Sequence, residues 1–212
     1  MKIIFLGAPG AGKGTQAEIV SKRLGIPTIS TGAIIREAIK NGTEMGLEAK
    51  KFIEAGALVP DEVVIGIVKE RLAKSDCEKG FILDGFPRTV PQAQALDAMG
   101  VKLDAVLSLE VSDDDIVKRM SGRRICSGCG ASYHILHNPS AGGELCEKCN
   151  AKLTIRADDA PEVVLSRLEV YHTTTEPLKD FYLEKGNLKL IEGADKIEHT
   201  TERTLEALGI VE

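Results

Sequence analysis

The sequence predicts an α/β fold, a parallel sheet covered by helices on both faces, and three observations predict it. Short apolar runs ended by glycine or an acidic residue recur along the chain, segments with apolar residues at helical spacing lie between them, and a glycine-rich loop follows the first run and opens a helix. Strands that alternate with helices pair in parallel, because each crossover helix lays its apolar stripe back on the sheet. Ligands of such sheets bind beyond the carboxyl ends of the strands. Chemistry is therefore expected after the first strand and around Asp84.

The elements follow in chain order. Lys2 to Leu6 is an apolar run ended by glycine, the pattern of a buried strand. A helix over residues 13 to 24 puts Ala17, Val20 and Leu24 on one face. Asp61 stands where a cap is expected, before Val64, Ile67, Val68 and Leu72 at helical spacing. Phe81 to Leu83 is a second strand, ended by Asp84-Gly85. Thr89 is placed to cap a helix with Pro91 in its first turn and Gln92 reaching back. Ala105 to Leu109 is a third strand, ended by Glu110. Val164, Leu168 and Tyr171 mark a long helix after Pro161, and Leu188 to Ile191 is a fourth strand.

A length of 212 residues suits one main domain with small insertions. The net charge of -5 opposes a nucleic-acid binder, which carries a strong basic bias. No run approaches the ~20 apolar residues of a membrane span, so a cytoplasmic protein is expected. Four of the five cysteines form two CxxC pairs and Cys77 stands alone, which fits a metal site in a reducing compartment. Apart from the paired CxxC units the chain shows no internal repeat.

Residues 7 to 15 read GAPGAGKGT. Glycines let backbone N–H groups turn inward toward phosphate oxygens, and the helix start adds positive potential. Lys13 is placed to reach β- and γ-phosphates. The pattern departs from GxxxxGK[ST], since Gly14 sits where the hydroxyl belongs and Thr15 follows it; direct binding of Mg²⁺ by Thr15 is correspondingly weakened. The bland alternative is a glycine-rich turn beside a surface lysine, and the coincidence of strand, glycines, lysine and helix opposes it. Asp84, ending a strand, suits a carboxylate that organises Mg²⁺ and its waters; a turn-forming aspartate is the alternative.

Residues 122 to 159 break the helical pattern. Cys126, Cys129, Cys146 and Cys149 are spaced C-x2-C-x16-C-x2-C, as in a four-thiolate zinc site that leaves no open position and is therefore structural. Two disulfides are the alternative. His134 and His137 between the knuckles read as packing or surface residues.

Several motifs together resemble the adenylate kinase family of nucleoside monophosphate kinases: GAPGAGKGTQA at 7 to 17, STG at 30 to 32, DGFPRT at 84 to 89, GRR at 122 to 124 and RADD at 156 to 159. The resemblance implies a P-loop nucleoside monophosphate kinase fold. Its core spans residues 1–29, 60–121 and 160–212, an AMP-binding insert residues 30–59, and an inserted zinc-binding lid residues 122–159. The implied reaction is reversible, Mg²⁺-dependent transfer of the γ-phosphoryl of ATP to AMP, giving two ADP. A kinase for another nucleoside monophosphate is the alternative.

By the same resemblance, Gly10, Ala11, Gly12, Lys13, Gly14 and Thr15 hold ATP, joined by Arg119, Arg123, Ser132, Tyr133 and Asp195. The AMP site takes Thr31, Arg36, Ala57, Leu58, Val59, Gly85, Phe86, Pro87, Arg88 and Gln92, with Arg156 and Arg167. The catalytic set is Lys13, Asp84, Arg88, Arg123, Arg156 and Arg167. Arginine suits this work because its planar fork grips phosphate bidentately and keeps its charge. Arg71 and Arg203 read as surface ion pairs, and Arg124 is left without a role. ATP, AMP and ADP are the implied partners of a monomer, with structural Zn²⁺ beside Mg²⁺. The family usually reads STGD where this chain has Ala33, so a carboxylate is missing beside the acceptor site and at the start of the following helix.

Overall fold

Five parallel strands in the order β2-β3-β1-β4-β8 form the central sheet of a computed structural model that describes residues 1–194 and 196–210. They are β1 (Lys2–Gly7), β2 (Thr28–Ser30), β3 (Phe81–Asp84), β4 (Ala105–Glu110) and β8 (Leu188–Glu192). The four runs expected as strands are all present. β2 is an addition, three residues long and too short to show periodicity in the sequence.

Helices cover both faces, as expected. Ile3 and Phe5 of β1 point into one core, which they share with Ala17 and Val20 of α1 (Lys13–Leu24), Ile116 and Met120 of α6 (Asp113–Gly122), and Val164 and Leu168 of α7 (Pro161–Val170). Ile4 and Leu6 point into the other core. There they join Ile35 of α2 (Thr31–Lys40), Ala49 of α3 (Glu44–Glu54), Val64 and Val68 of α4 (Asp61–Leu72), Leu96 of α5 (Val90–Ala98) and Tyr182 of α8 (Leu178–Glu184). This two-sided burial is why β1 reads as a continuous apolar run, with Ile3 and Ile4 both at 0% exposure. Truncating either to alanine costs about 2–5 kcal/mol, because the packed surroundings cannot close the void. α9 (Ile197–Ala207) completes the chain on the first face, beside α1.

Three local expectations are corrected. Asp61 is the first residue of α4 rather than its cap, and its carboxylate bonds across to Thr89 and Gln92 instead. Thr89 does cap α5, accepting from the Gln92 N–H at 3.3 Å, but the Gln92 side chain accepts from Arg88 N–H rather than from that of Thr89. The long helix after Pro161 ends at Val170; a wider turn over Tyr171–Thr175 then leads to Pro177 and α8.

Between α6 and α7 the chain leaves the sheet. β5 (Arg123–Cys126), β6 (Ser132–His134) and β7 (Leu153–Thr154) form a separate antiparallel sheet in the order β6-β5-β7. Its small apolar cluster holds Cys126, Tyr133 and Cys146. So few buried groups stabilise little without a cross-link or metal.

Candidate functional site

β1 turns sharply at Gly7, where φ is +133° and an added Cβ would lie 2.6 Å from the Leu109 carbonyl oxygen. Only glycine fits there, and the turn carries the chain over the strand ends into α1. Lys13, the first residue of α1, folds back and donates to the carbonyls of Gly7 and Ala8, both at 2.7 Å. Burial lowers its ammonium to about 8, against the pull of Asp84 and with the push of Arg88, Arg167 and Arg123. The side chain is a cation held among cations, poised for an anion.

The loop opens on a cavity of about 730 Å³, within the usual range of small-molecule sites. Gly10, Ala11, Gly12, Lys13, Gly14 and Thr15 line one part of it. Arg119 lies beside them, bonded to the carbonyls of Ala11 at 3.4 Å and Ala194 at 3.0 Å. Ser132 and Tyr133 line the cavity from the small sheet, but the Tyr133 hydroxyl turns to Cys146 Sγ at 3.3 Å. Asp195, expected here, lies outside the described residues.

The wall beyond β2 and β3 is built by Thr31, Arg36, Ala57, Leu58, Val59, Gly85, Pro87, Arg88 and Gln92. Gly85, at φ +78°, lets Thr31 Oγ1 and Arg88 Nε both donate to its carbonyl, at 2.8 and 3.0 Å. Phe86, expected at this wall, has 0% exposure in the core cluster with Ile4 and Leu83 and does not line the cavity. Burial lowers Arg36 to about 10, helped by Arg156, and lowers Arg88 as well. Thr175 steadies the Arg88 carbonyl through its hydroxyl at 2.8 Å. Ala33 lines the cavity, and α2 has neither a side-chain cap nor an acidic residue in its first turn.

Arg123 of β5, Arg156 in the connection after β7 and Arg167 of α7 reach the same cavity. Two aspartates that the sequence left without a role tie them together. Arg123 grips Asp159 with two N–H groups and Arg156 grips Asp158 likewise. Arg167 bridges them, 3.0 Å from Asp158 Oδ2 and 3.4 Å from Asp159 Oδ1. The Asp159 side chain is fully buried. Burial pushes the Asp158 carboxyl up, yet hydrogen bonds and charge from Arg156, with Arg167 and Arg123, hold it at about 2. The only sequence signal was the adjacent acidic pair after Arg156. Arg71 and Arg203 pair with Asp76 and Glu192 at the surface as expected, and Arg124 bonds backbone carbonyls outside the cavity.

Asp84 ends β3 and lines the cavity, 3.4 Å from where a Cβ on Gly14 would lie. Its carboxylate accepts no hydrogen bond among the described residues, and it faces Lys13. A free carboxylate beside a phosphate loop fits the needs of a hydrated Mg²⁺.

The four clustered cysteines have their Sγ atoms all within 4.8 Å of one another. Cys126 and Cys149 Sγ are 3.3 Å apart, Cys129 and Cys146 3.6 Å, near the ~3.8 Å edge of a tetrahedron with 2.3 Å Zn–S bonds. The expected pairing of knuckles is therefore a single cluster. The N–H groups of Gly128 and Cys129 donate to Cys126 Sγ at 3.3 and 3.4 Å. The Tyr133 hydroxyl, with backbone donors, draws Cys146 down to about 6. These donors stabilise thiolates, the form that binds a metal. His134 turns elsewhere, accepting from the N–H groups of Leu136 and His137 at its Nδ1.

The sequence aligns with known proteins over nearly its whole length. The family model for adenylate kinase covers residues 5–187. The adenylate kinase of Caldicellulosiruptor bescii is 55% identical over an alignment that spans 99% of this chain and 100% of the relative. That of Ruminiclostridium cellulolyticum is 53% identical over the same shares, and that of Archaeoglobus fulgidus 54% identical over 93% of each chain. No described helix is long and apolar enough to cross a membrane. Phosphate loop, arginine clamp and cysteine cluster thus occur in a chain that aligns with these relatives almost end to end, and it belongs to the adenylate kinase family.

Proposed function

We propose that the protein transfers the γ-phosphoryl group of ATP to AMP, reversibly, giving two ADP. One observation carries the reading: Lys13, Arg36, Arg88, Arg119, Arg123, Arg156 and Arg167 converge on a single cavity reached from the ends of the neighbouring strands β1 and β3. Two polyphosphates end to end need such a density of fixed cations, and arrangement of charge before the reaction is the main source of rate in phosphoryl transfer.

In this reading the loop over residues 10–15 cradles the ATP phosphates, Lys13 exchanges its carbonyl partners for phosphate oxygens, and Arg119 covers the adenine side with Ser132 and Tyr133. Arg36 and Arg88 hold the AMP phosphate. Thr31, Gln92 and residues 57–59 form the base pocket, with Gly85 and Pro87 at its floor; Phe86 supports this floor from the core. An AMP phosphate oxygen attacks the γ-phosphorus in line, the bond to the β–γ bridging oxygen breaks, and its electrons leave with ADP. Arg123, Arg156 and Arg167 neutralise the charge on the transferring group, with no covalent enzyme intermediate. Asp84 would hold Mg²⁺ through its waters, and the ion would supply charge neutralisation between β- and γ-phosphates.

Residues 30–59 act as the acceptor insert and 122–159 as a lid, both carried by the core. Arg167 of the core pairs with Asp158 and Asp159 at the hinge of the lid, and Lys40 of the acceptor insert donates to the Ser127 carbonyl at 3.3 Å. Away from the hinge the lid meets the core through Lys148 and Glu18, 2.7 Å apart and about half exposed. Such a pair stabilises by only about 0–1 kcal/mol, so opening to release product is cheap. Zn²⁺ on Cys126, Cys129, Cys146 and Cys149 serves structure, replacing the core the lid lacks. We place the protein in the cytoplasm, as a monomer.

The test is a coupled assay for ADP formed from ATP and AMP, with calorimetry of two adenosines joined by five phosphates and a metal analysis of the same sample. Activity restricted to another nucleoside monophosphate would favour the alternative acceptor. Lys13→Ala should reduce turnover by ~10³ or more with the melting temperature preserved; near-normal turnover removes the loop assignment.

A further inference from the structure

We infer that Asp61 is a positioning residue for purine choice, acting by locking the side-chain amide of Gln92 in one of its two orientations. Gln92 is 1% exposed and lines the cavity, whereas Asp61 does not reach the cavity. Gln92 Oε1 accepts from the Arg88 N–H at 2.8 Å, and its Nε2 donates to Asp61 Oδ1 at 2.7 Å. Asp61 is itself held by the Thr89 hydroxyl, which donates to its Oδ2 at 2.9 Å.

Neither anchor can change its part. A backbone N–H only donates and an ionised carboxylate only accepts. A flipped amide would set Nε2 against the Arg88 N–H and Oε1 against the carboxylate, losing both bonds and leaving buried groups unpaired. The lock leaves one lone pair on Oε1 and one hydrogen on Nε2. The Watson–Crick edge of adenine offers the complement, an amino donor at C6 and an acceptor at N1. A 6-oxopurine offers the reverse, an acceptor at C6 and a donor at N1, and could be met only by the flipped amide. Asp61 thus converts an ambiguous amide into a reader of 6-aminopurines.

This deepens the reading of Gln92 as a base contact and rests on it. The experiment compares AMP with inosine monophosphate, which differs at those two ring positions, as acceptors for Asp61→Ala, Asp61→Asn and Gln92→Ala, with melting temperatures alongside. Asp61→Ala should lower the AMP-to-IMP ratio of kcat/KM at least about tenfold, mainly through the AMP KM with kcat held within roughly threefold. Asp61→Asn keeps an acceptor for Nε2 and should retain the ratio within about threefold. The proposal is overturned if folded Asp61→Ala keeps the wild-type ratio, or if Asp61→Asn, which carries the fold by its shape, loses it. An unchanged ratio and AMP KM in Gln92→Ala would instead remove the base-contact reading itself. A ratio erased by Gln92→Ala but kept by Asp61→Ala sinks the Asp61 proposal alone.

Discussion

Replacing Asp158 by asparagine preserves the side chain's shape and removes the charge that Arg156 and Arg167 share. The magnitude follows from proton linkage. Burial raises this carboxyl and the arginines lower it further, for a net fall from 3.8 to about 2. A carboxyl lowered on folding stabilises the protein above its unfolded value, and that stability is lost as pH falls from about 3.8 through about 2. The shift is worth roughly 2–3 kcal/mol at pH 7, at about 1.4 kcal/mol per unit. For a chain of this size each kcal/mol moves the melting midpoint by about 2–4 °C, so the ligand-free variant should melt roughly 4–12 °C lower. The difference from wild type should fall to about half by pH 3, where the unfolded chain is mostly protonated at this position. Scanning calorimetry without nucleotide, at pH 7 and pH 3, measures both. Asp115→Asn is the control, because its pair with Lys118 is exposed and screened by solvent. A midpoint for Asp158→Asn matching the control, or a deficit that does not shrink in acid, refutes the arginine clamp as a store of stability.

Lys13 is lowered as well, but for a cation the shift costs stability at neutral pH. Burial lowers it from 10.5 to about 8, so the unfolded chain binds the proton more tightly and ligand-free stability from this group rises with pH across that window. Polyphosphate against the ammonium reverses the shift, so binding the five-phosphate mimic at pH 8.5 should take up part of a proton; calorimetric heats that do not depend on the buffer's ionisation enthalpy contradict it. Cys146→Ser should lower bound zinc and the melting temperature together while chemistry at saturating nucleotide changes less; full metal content with an unchanged midpoint counts against a structural site. Ala33→Asp places an acid in the first turn of α2, which has none, and should stabilise by about 0.3–1 kcal/mol. A lower melting temperature would show that the cavity beside Arg36 does not accommodate the carboxylate.

What the sequence by itself determined is what neighbouring residues decide together. The phosphate loop is contiguous, so its glycines, Lys13 and the start of α1 are legible in one stretch. The cysteines come as two CxxC units, the spacing of a four-thiolate cluster, and the fold brings their Sγ atoms within 4.8 Å of one another. The uninterrupted apolar runs of β1 and β3 declare burial on both faces, whereas Lys189 interrupts β8, an edge strand whose Leu190 stays exposed. Tertiary structure alone decided what distant residues do to one another. Asp61 looked like a helix cap and instead holds Gln92, 31 positions away. Phe86 sits inside a motif of site residues and faces the core. Asp158 and Asp159 stood in a quoted motif without a role until the fold brought Arg123, Arg156 and Arg167 around them. The strand order and the short β2 likewise depend on pairing. The physical reason is common to all of these. Local backbone chemistry acts within a turn or two, whereas the partner of a buried charge or amide is chosen by whichever group the packed chain brings within hydrogen-bond reach.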